Sequence, residues 1–514
     1  MAMVIDVLSY GIGTLVAFAL IAAFVFVFIR DITQKKHAVL RNYPVVGRLR
    51  YFFEELGEYF RQYFFAGERD ELPFNRSTRS WIYRLAKNEG GTIGFGSTFD
   101  LHEPGALIFV NHPFPVQEEE RLPTPSLLLG EGYAKIPFEA RSVVNISGMS
   151  FGAISEPAVR SLSRGAAVAG CWMDTGEGGL SPHHLEGDCD IIMQIGTAKY
   201  GVRDAQGNLS PDRLVELGRV AKAFEIKLSQ GAKPGKGGIL PAKKVTPEIA
   251  QIRGIPAGRD SISPNRHRDI ANMTELCDMI VRVRDLTGRP VGIKTAVGGW
   301  RFMNDLADHV HRKGLEYAPD FLVIDGGEGG SGAAPQALAD HMGLSIDEAL
   351  PRVVDALIES DLKTRIRVVA SGKIVTSSRA AWALATGADF INTARGFMFS
   401  LGCIQALRCH TNECPTGVAT QSAWRQRGLV PQDKRSRVAN YAMAVNEDLM
   451  VVTRSLGLQS PADLTREHLE VVVAIGQRMR ASDLYPYPPL ALQAMVSPEV
   501  SRRFSLEPAE EWAS

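Results

Sequence analysis

A chain of 514 residues with 57 basic and 57 acidic side chains has no net charge, which excludes recognition of nucleic acid or of an acidic partner through bulk charge. Its 45% hydrophobic and 22% charged content is that of a globular protein, with room for one large domain plus appendages or for two or three domains. The 49 glycines are clustered rather than spread, which favours backbone-lined ligand loops over low complexity.

Residues 7–29 (VLSYGIGTLVAFALIAAFVFVFI) carry no charge. As a helix they span roughly 34 Å, enough for a bilayer core. The run is too long for a signal-peptide core and no basic residue precedes it. Arg30, Lys35, Lys36, Arg41, Arg48 and Arg50 all follow it. The positive-inside bias then predicts a single-pass protein of the inner (cytoplasmic) membrane, with a transmembrane helix at 1–30 and the catalytic body in the cytoplasm. That compartment is reducing, so clustered cysteines are available for metal rather than disulfides. Residues 31–98 form a membrane-proximal helical or linker region. In it Phe52, Leu56, Tyr59, Phe60, Tyr63 and Phe64 recur at helical spacing, on a helix that lies on the membrane or packs on the body.

From about residue 143 short apolar runs alternate with helical stretches. The runs are 143–146, 171–174, 191–195, 225–228, 291–295, 321–325, 366–370 and 389–393. Eight strands separated by helix-length crossovers predict an α/β fold, a (β/α)8 TIM barrel, over 99–430. Each run ends in glycine, small or basic residues, as in SGMSFGAIS (147–155), TGEGG (175–179), SQGAKPGKGG (229–238) and GGEGGSGAAP (326–335). In a barrel these ends converge on one face, where active sites sit, and the last two strand ends commonly take phosphate. GGEGGSG matches a dinucleotide fingerprint only loosely. Residues 431–514 read as a helical C-terminal extension, with helices at 440–456 and 467–480.

Cys403, Cys409 and Cys414 are half of the six cysteines and lie within twelve residues. Soft thiolates at this density suit a metal or an iron–sulfur cluster, and C-x5-C-x4-C is not zinc spacing. Three buried thiols acting as small hydrophobes are the alternative.

The stretches SGMSFGAIS, DTGEGG, SQGAKPGKGG with LPAKKV, ISPNRHRDI, GIKTAVGG, GGEGGSGAAP and CHTNECPTGVATQ resemble, in order and spacing, the central and FMN-binding region of the glutamate synthase large subunit. The likeness runs over about 280 residues from Ser142 to Gln421. The apolar N-terminus, QKKH and PFNRSTRSW resemble a membrane-anchored, stand-alone branch of that family. The resemblance implies a barrel holding FMN beside a [3Fe–4S] cluster on Cys403, Cys409 and Cys414. It further implies reduction of the imine of 2-oxoglutarate and ammonia to L-glutamate. It places Ser147, Gly148, Met149, Ser150, Gln194, Lys199 and Gln230 against the flavin, and Gly329, Gly330, Ser371, Gly372, Lys373, Ala394 and Arg395 at its phosphate. Lys199 stands where the family tends to have Arg. Lys233 and Arg253 would hold the oxo-acid carboxylates, as fixed cations suit a dicarboxylate. Glu177 is the general acid/base candidate. Lys294 is the cation for the reduced ring, on the independent ground that a positive charge near the flavin N1–C2 carbonyl stabilises the anionic form.

Three departures accompany the resemblance. Ile239 stands where the synthases place a Gln on the oxo acid. No glutamine amidotransferase domain precedes the apolar run, so ammonia or an amine is expected from solution or a partner. No NADPH-binding domain is found, so an external electron donor is expected: ferredoxin, a partner subunit or a membrane carrier. The competing readings are an amino-acid synthase or dehydrogenase of the same fold with another oxo acid or amine, such as one making N-methylglutamate, and a membrane redox subunit without turnover. A homo-oligomer is left open.

Overall fold

A computed structural model describes residues 2–489. The acidic end of the expected C-terminal extension lies outside the described residues. The chain divides into two compact units, Met1–Arg79 and Ser80–Ser514.

In the first unit the helix Ala2–Thr33 contains a 23-residue stretch, Gly11–Thr33, long and apolar enough to cross a membrane. Near its end Asp31 is fully buried. Its carboxylate accepts from Arg48 Nε at 2.9 Å and from the Val45 N–H at 3.0 Å. A lone acid at the end of an apolar helix is thereby paired and hydrogen-bonded, as burial of a charge requires. The helix Gly47–Phe60 follows and runs into a wider turn at Arg61–Phe65.

The second unit is built on a closed parallel barrel of eight strands. In chain order they are β1 (Val144–Ile146), β2 (Met173–Asp174), β3 (Ile191–Ile195), β4 (Ala223–Lys227), β5 (Val291–Thr295), β6 (Phe321–Asp325), β7 (Arg367–Ser371) and β8 (Phe390–Thr393). Strand β8 pairs with β1 through Ile391–Val144 and Thr393–Ile146, which closes the ring. The strands are buried on both faces, which is why they read as short continuous apolar runs. Crossover helices carry ordinary end signals: Ser155 accepts from the Ala158 N–H at the start of Glu156–Ala169, and Gly170 ends that helix at φ 69°.

One end of the barrel is plugged. The hairpin of Leu127–Leu129 and Phe138–Ala140 delivers Leu129 and Phe138 to a cluster with Trp172, Ile192, Ala223, Phe321, Val369 and Phe390, most of them at or near strand starts. Trp172 packs edge-on to Phe390 at 5.0 Å and donates to Asn392 Oδ1 at 3.1 Å. The strands finish at the opposite end.

The expected helix at 467–480 is instead an antiparallel hairpin, Leu469–Ala474 with Gln477–Arg480, joined to Leu107–Phe109. The β-branched run Val471–Val473 prefers a pleated surface, and Gly476 at φ 75° turns the chain. The expected helix at 440–456 belongs to a longer one, Pro431–Ser455.

Candidate active site

Lys294 is the next-to-last residue of the buried strand β5, and its Nζ reaches across to Ser147 Oγ at 3.3 Å, just past β1. Burial alone would lower this ammonium's pKa. Neighbouring carboxylates, Asp325 first, with Asp174 and Glu177, outweigh it and hold the group above its ordinary value. Asp325 is itself fixed, accepting from Ser371 Oγ at 2.9 Å and from the Gly231 N–H at 2.8 Å.

One cavity at this mouth is lined by Ser147, Gly148, Gln194, Gln230, Lys294, Gly329, Gly330, Ser371, Gly372, Lys373, Ala394 and Arg395. The cavity thus brings together twelve of the fifteen residues assigned to a cofactor on sequence. At one end Lys373 and Arg395 meet the glycines: a side chain at Gly330 would lie 3.1 Å from Arg395. Gly372 has φ 124°, a conformation glycine alone adopts at ease. Burial lowers the Lys373 pKa and pushes that of Arg395 down to about 10. Two desolvated cations over a glycine floor are arranged for an anion such as a phosphate.

Glu177 does not line this cavity, but its Oε2 lies 3.3 Å from the Nζ of Lys227, which does. Burial would raise this carboxyl, but Lys227, Lys233 and Arg253 together hold it below its usual range. Lys233 is pushed down to about 8 by burial, and its Nζ donates to Ala333 O at 3.2 Å. Arg253 donates to Ser261 Oγ and Phe151 O. Its buried Nε has no hydrogen-bond partner among the described residues. An unfilled donor on a buried cation fits a carboxylate ligand. Gly238 packs directly on the Glu177 carboxylate, and Ile239 follows it, 39% exposed and paired with Ile262.

Met149, Ser150 and Lys199 do not line this cavity. Met149 and Ser150 pack against the Gly176 backbone, and Lys199 pairs with Asp269 at 2.6 Å beside a separate cleft. Lys227, Asp325, Asn392 and Thr393 line the cavity and were not anticipated. Nor were Asp174 and Glu225 below it. Asp174 opens the DTGEGG stretch, but Glu225 lies in a strand where neighbouring residues give no motif.

The thiolate cluster expected on Cys403, Cys409 and Cys414 finds no support in the fold. Among the described residues no group of three or more His, Cys, Asp or Glu side chains is gathered to hold a metal ion. Cys403 directly follows the helix Arg395–Leu401 and its cap, Gly402, and its Sγ accepts from the Gln405 N–H at 3.5 Å. Cys409 and Cys414 instead face the buried Lys244, whose Nζ donates to Ala153 O (2.6 Å), Ala419 O (3.1 Å) and Cys409 O (3.2 Å). Lys244 thus ties the cysteine loop to the loop after β1.

A profile of the conserved region in glutamate synthase matches residues 126–459. The chain is 40% identical over 489 residues to the glutamate synthase large subunit-like protein YerD of Bacillus subtilis (strain 168), covering 87% of this chain and 92% of that protein. It is 34% identical over 335 residues to an archaeal-type glutamate synthase (NADPH) of Thermotoga sp. (strain RQ2), covering 65% of this chain and 62% of that protein. With the archaeal glutamate synthase (NADPH) of Methanocaldococcus jannaschii it shares 36% over 321 residues, 62% of this chain and 59% of that protein. The chain therefore spans less than two thirds of the length of these two relatives. A solved mutant of the active chimera of (S)-mandelate dehydrogenase overlaps at a TM-score of 0.46 and 14% identity, covering 76% of this chain and 98% of that one.

Proposed function

Because this chain belongs to the glutamate synthase family, we propose that its barrel binds FMN and reduces the imine of 2-oxoglutarate and ammonia to L-glutamate, drawing electrons from an external donor. The observation that carries this reading is one cavity with Lys373, Arg395, Lys294 and Lys227 in its wall, and Glu177 paired with that Lys227 and held ionised by Lys227, Lys233 and Arg253. FMN bound there would supply hydride transfer.

The chain's own groups do the rest. Gly329, Gly330, Ser371, Gly372, Lys373, Ala394 and Arg395 hold a phosphate. Lys294 offers a positive charge to a ring that gains electrons. Lys233 and Arg253 hold the two carboxylates of the oxo acid, the orphan Arg253 Nε taking one of them. Glu177, kept ionised by its cations, orders ammonium and moves a proton at the imine nitrogen. No step is assigned to a cluster on the cysteine loop. The helix Gly11–Thr33 crosses the cytoplasmic membrane once and leaves the barrel on the cytoplasmic side.

A second amine is favoured by Ile239, an apolar side chain next to the residue that covers Glu177. The deciding experiment loads the purified protein with FMN, reduces it anaerobically, and adds 2-oxoglutarate with ammonia or with methylamine. L-glutamate from the ammonia arm supports the first reading, and N-methylglutamate alone supports the second. Reduced protein that no pair of oxo acid and amine reoxidises defeats both.

A further inference from the structure

Beneath the cavity two acids meet. Asp174 on β2 and Glu225 on β4 are fully buried and flank Gln194 on β3. Gln194 Nε2 donates to Glu225 Oε1 at 2.6 Å and reaches Asp174 Oδ2 at 3.4 Å. The Gly176 N–H donates to Asp174 Oδ1 at 2.7 Å. Glu225 Oε2 is buried, and no donor among the described residues serves it. Both carboxyl groups thus close on the one Gln194 amide nitrogen. Two ionised carboxylates so placed repel each other, whereas a neutral acid beside a carboxylate does not and can donate to it. Asp174 already accepts a backbone N–H, which favours its charged form. Glu225 has the oxygen that lacks a partner. A proton on Glu225 Oε2 satisfies both groups.

The charged groups facing the pair are Lys294 from β5 and Lys227 on β4. The cations favour two negative charges. Burial, followed by the repulsion of Asp174, opposes them and pushes Glu225 up to about 8.

We infer that Glu225 is a neutral acid at neutral pH, donating its proton to Asp174, and that this shared proton fixes the Gln194 amide with its oxygen turned to the cavity. With Nε2 committed to two carboxyl groups, Gln194 Oε1 is left on the cavity wall as an acceptor, and the site takes a flat ligand that presents an N–H there. Glu225 is a positioning residue that acts through Gln194. Naming that ligand as the flavin ring rests on the proposed function, but the shared proton does not.

The test compares infrared spectra of the full-length protein and of Glu225→Gln across pH, in water and deuterium oxide, with FMN titrated onto each. The wild type should show a protonated-carboxyl band at neutral pH that shifts on deuteration, bleaches above about pH 8 and is missing in Glu225→Gln. FMN affinity of the wild type should fall about tenfold as that band bleaches, the worth of one hydrogen bond. Glu225→Gln, whose amide donates at every pH, should bind FMN without this dependence. Should Glu225→Gln not fold, Asp174→Asn serves: removing the neighbouring charge lets Glu225 ionise, so the band must move to lower pH. A wild type lacking the band at neutral pH, or a Glu225→Gln variant with the wild-type pH dependence, overturns the inference. A protein that shows the band yet binds no FMN sinks the flavin reading and leaves the shared proton standing.

Discussion

Lys227 and Lys294 lie opposite one another, in register on the neighbouring strands β4 and β5, and share acidic neighbours. Lys227 is bound to Glu177 at 3.3 Å, while the acid that acts most strongly on Lys294 is Asp325. The two cations thus belong to one buried network of acids.

Lys227 keeps Glu177 ionised against the pull of burial. In Lys227→Gln burial gains weight, so the Glu177 pKa must rise. A carboxyl held low adds stability above its unfolded pKa, a contribution lost as pH falls through its folded value. The expected outcome is an acid limb of kcat/KM moved to higher pH by about one unit, with less stability gained between acidic and neutral pH. A pH–rate profile checks it, and an unmoved limb would show that Glu177 is not the titrating group.

Lys294→Met removes the cation that three buried acids share. Breaking a buried ionic network from one side costs about 3–5 kcal/mol. Chemical denaturation of the barrel should register that loss. The reduction potential of bound FMN should become more negative, because the reduced ring loses its positive neighbour. Unchanged potential in a folded variant would exclude Lys294 from the ring's surroundings.

Gly148 has no room for a methyl group: a Cβ there would stand 2.7 Å from Gln194 Nε2 and 2.9 Å from Asp174 Oδ1. Gly148→Ala must push the amide off its carboxyl partners. The barrel should remain folded at a cost of about 1–3 kcal/mol, with FMN affinity reduced at least tenfold. Flavin fluorescence titration measures this, and wild-type affinity would count against Gly148 lying under the ring.

Ile239→Gln alters a half-exposed side chain on a short ribbon, so stability should change by less than about 0.5 kcal/mol. The preference between ammonia and methylamine should shift toward ammonia, read from initial rates with each. If the ratio stays constant, the ribbon does not contact the amine.

Much of this architecture was open to sequence reasoning. The runs at 191–195, 291–295 and 321–325 are strands to the residue. They are apolar on both faces and bounded by glycine, a pattern only a covered parallel strand produces. The loops that follow them predicted a shared mouth for the same reason. At 467–480 helical spacing and a β-branched run competed, and pairing with Leu107–Phe109, about 360 residues earlier, decided for strand. For the cysteines, sequence spacing offered a metal site, and among the described residues none is gathered; what the fold adds there is Lys244, whose Nζ donates to the Cys409 and Ala419 carbonyls.

Strand number, crossover length and glycine placement are local properties, so composition and periodicity alone determine a closed barrel whose strand tips end in glycine-rich loops. Which acid faces which lysine is different. It depends on the stagger set when β8 meets β1, and a lone Glu225 or Asp174 inside an apolar run has no partner until the ring closes. Only then does burial bring the two carboxyl groups together, and only tertiary contact can decide that they share a proton.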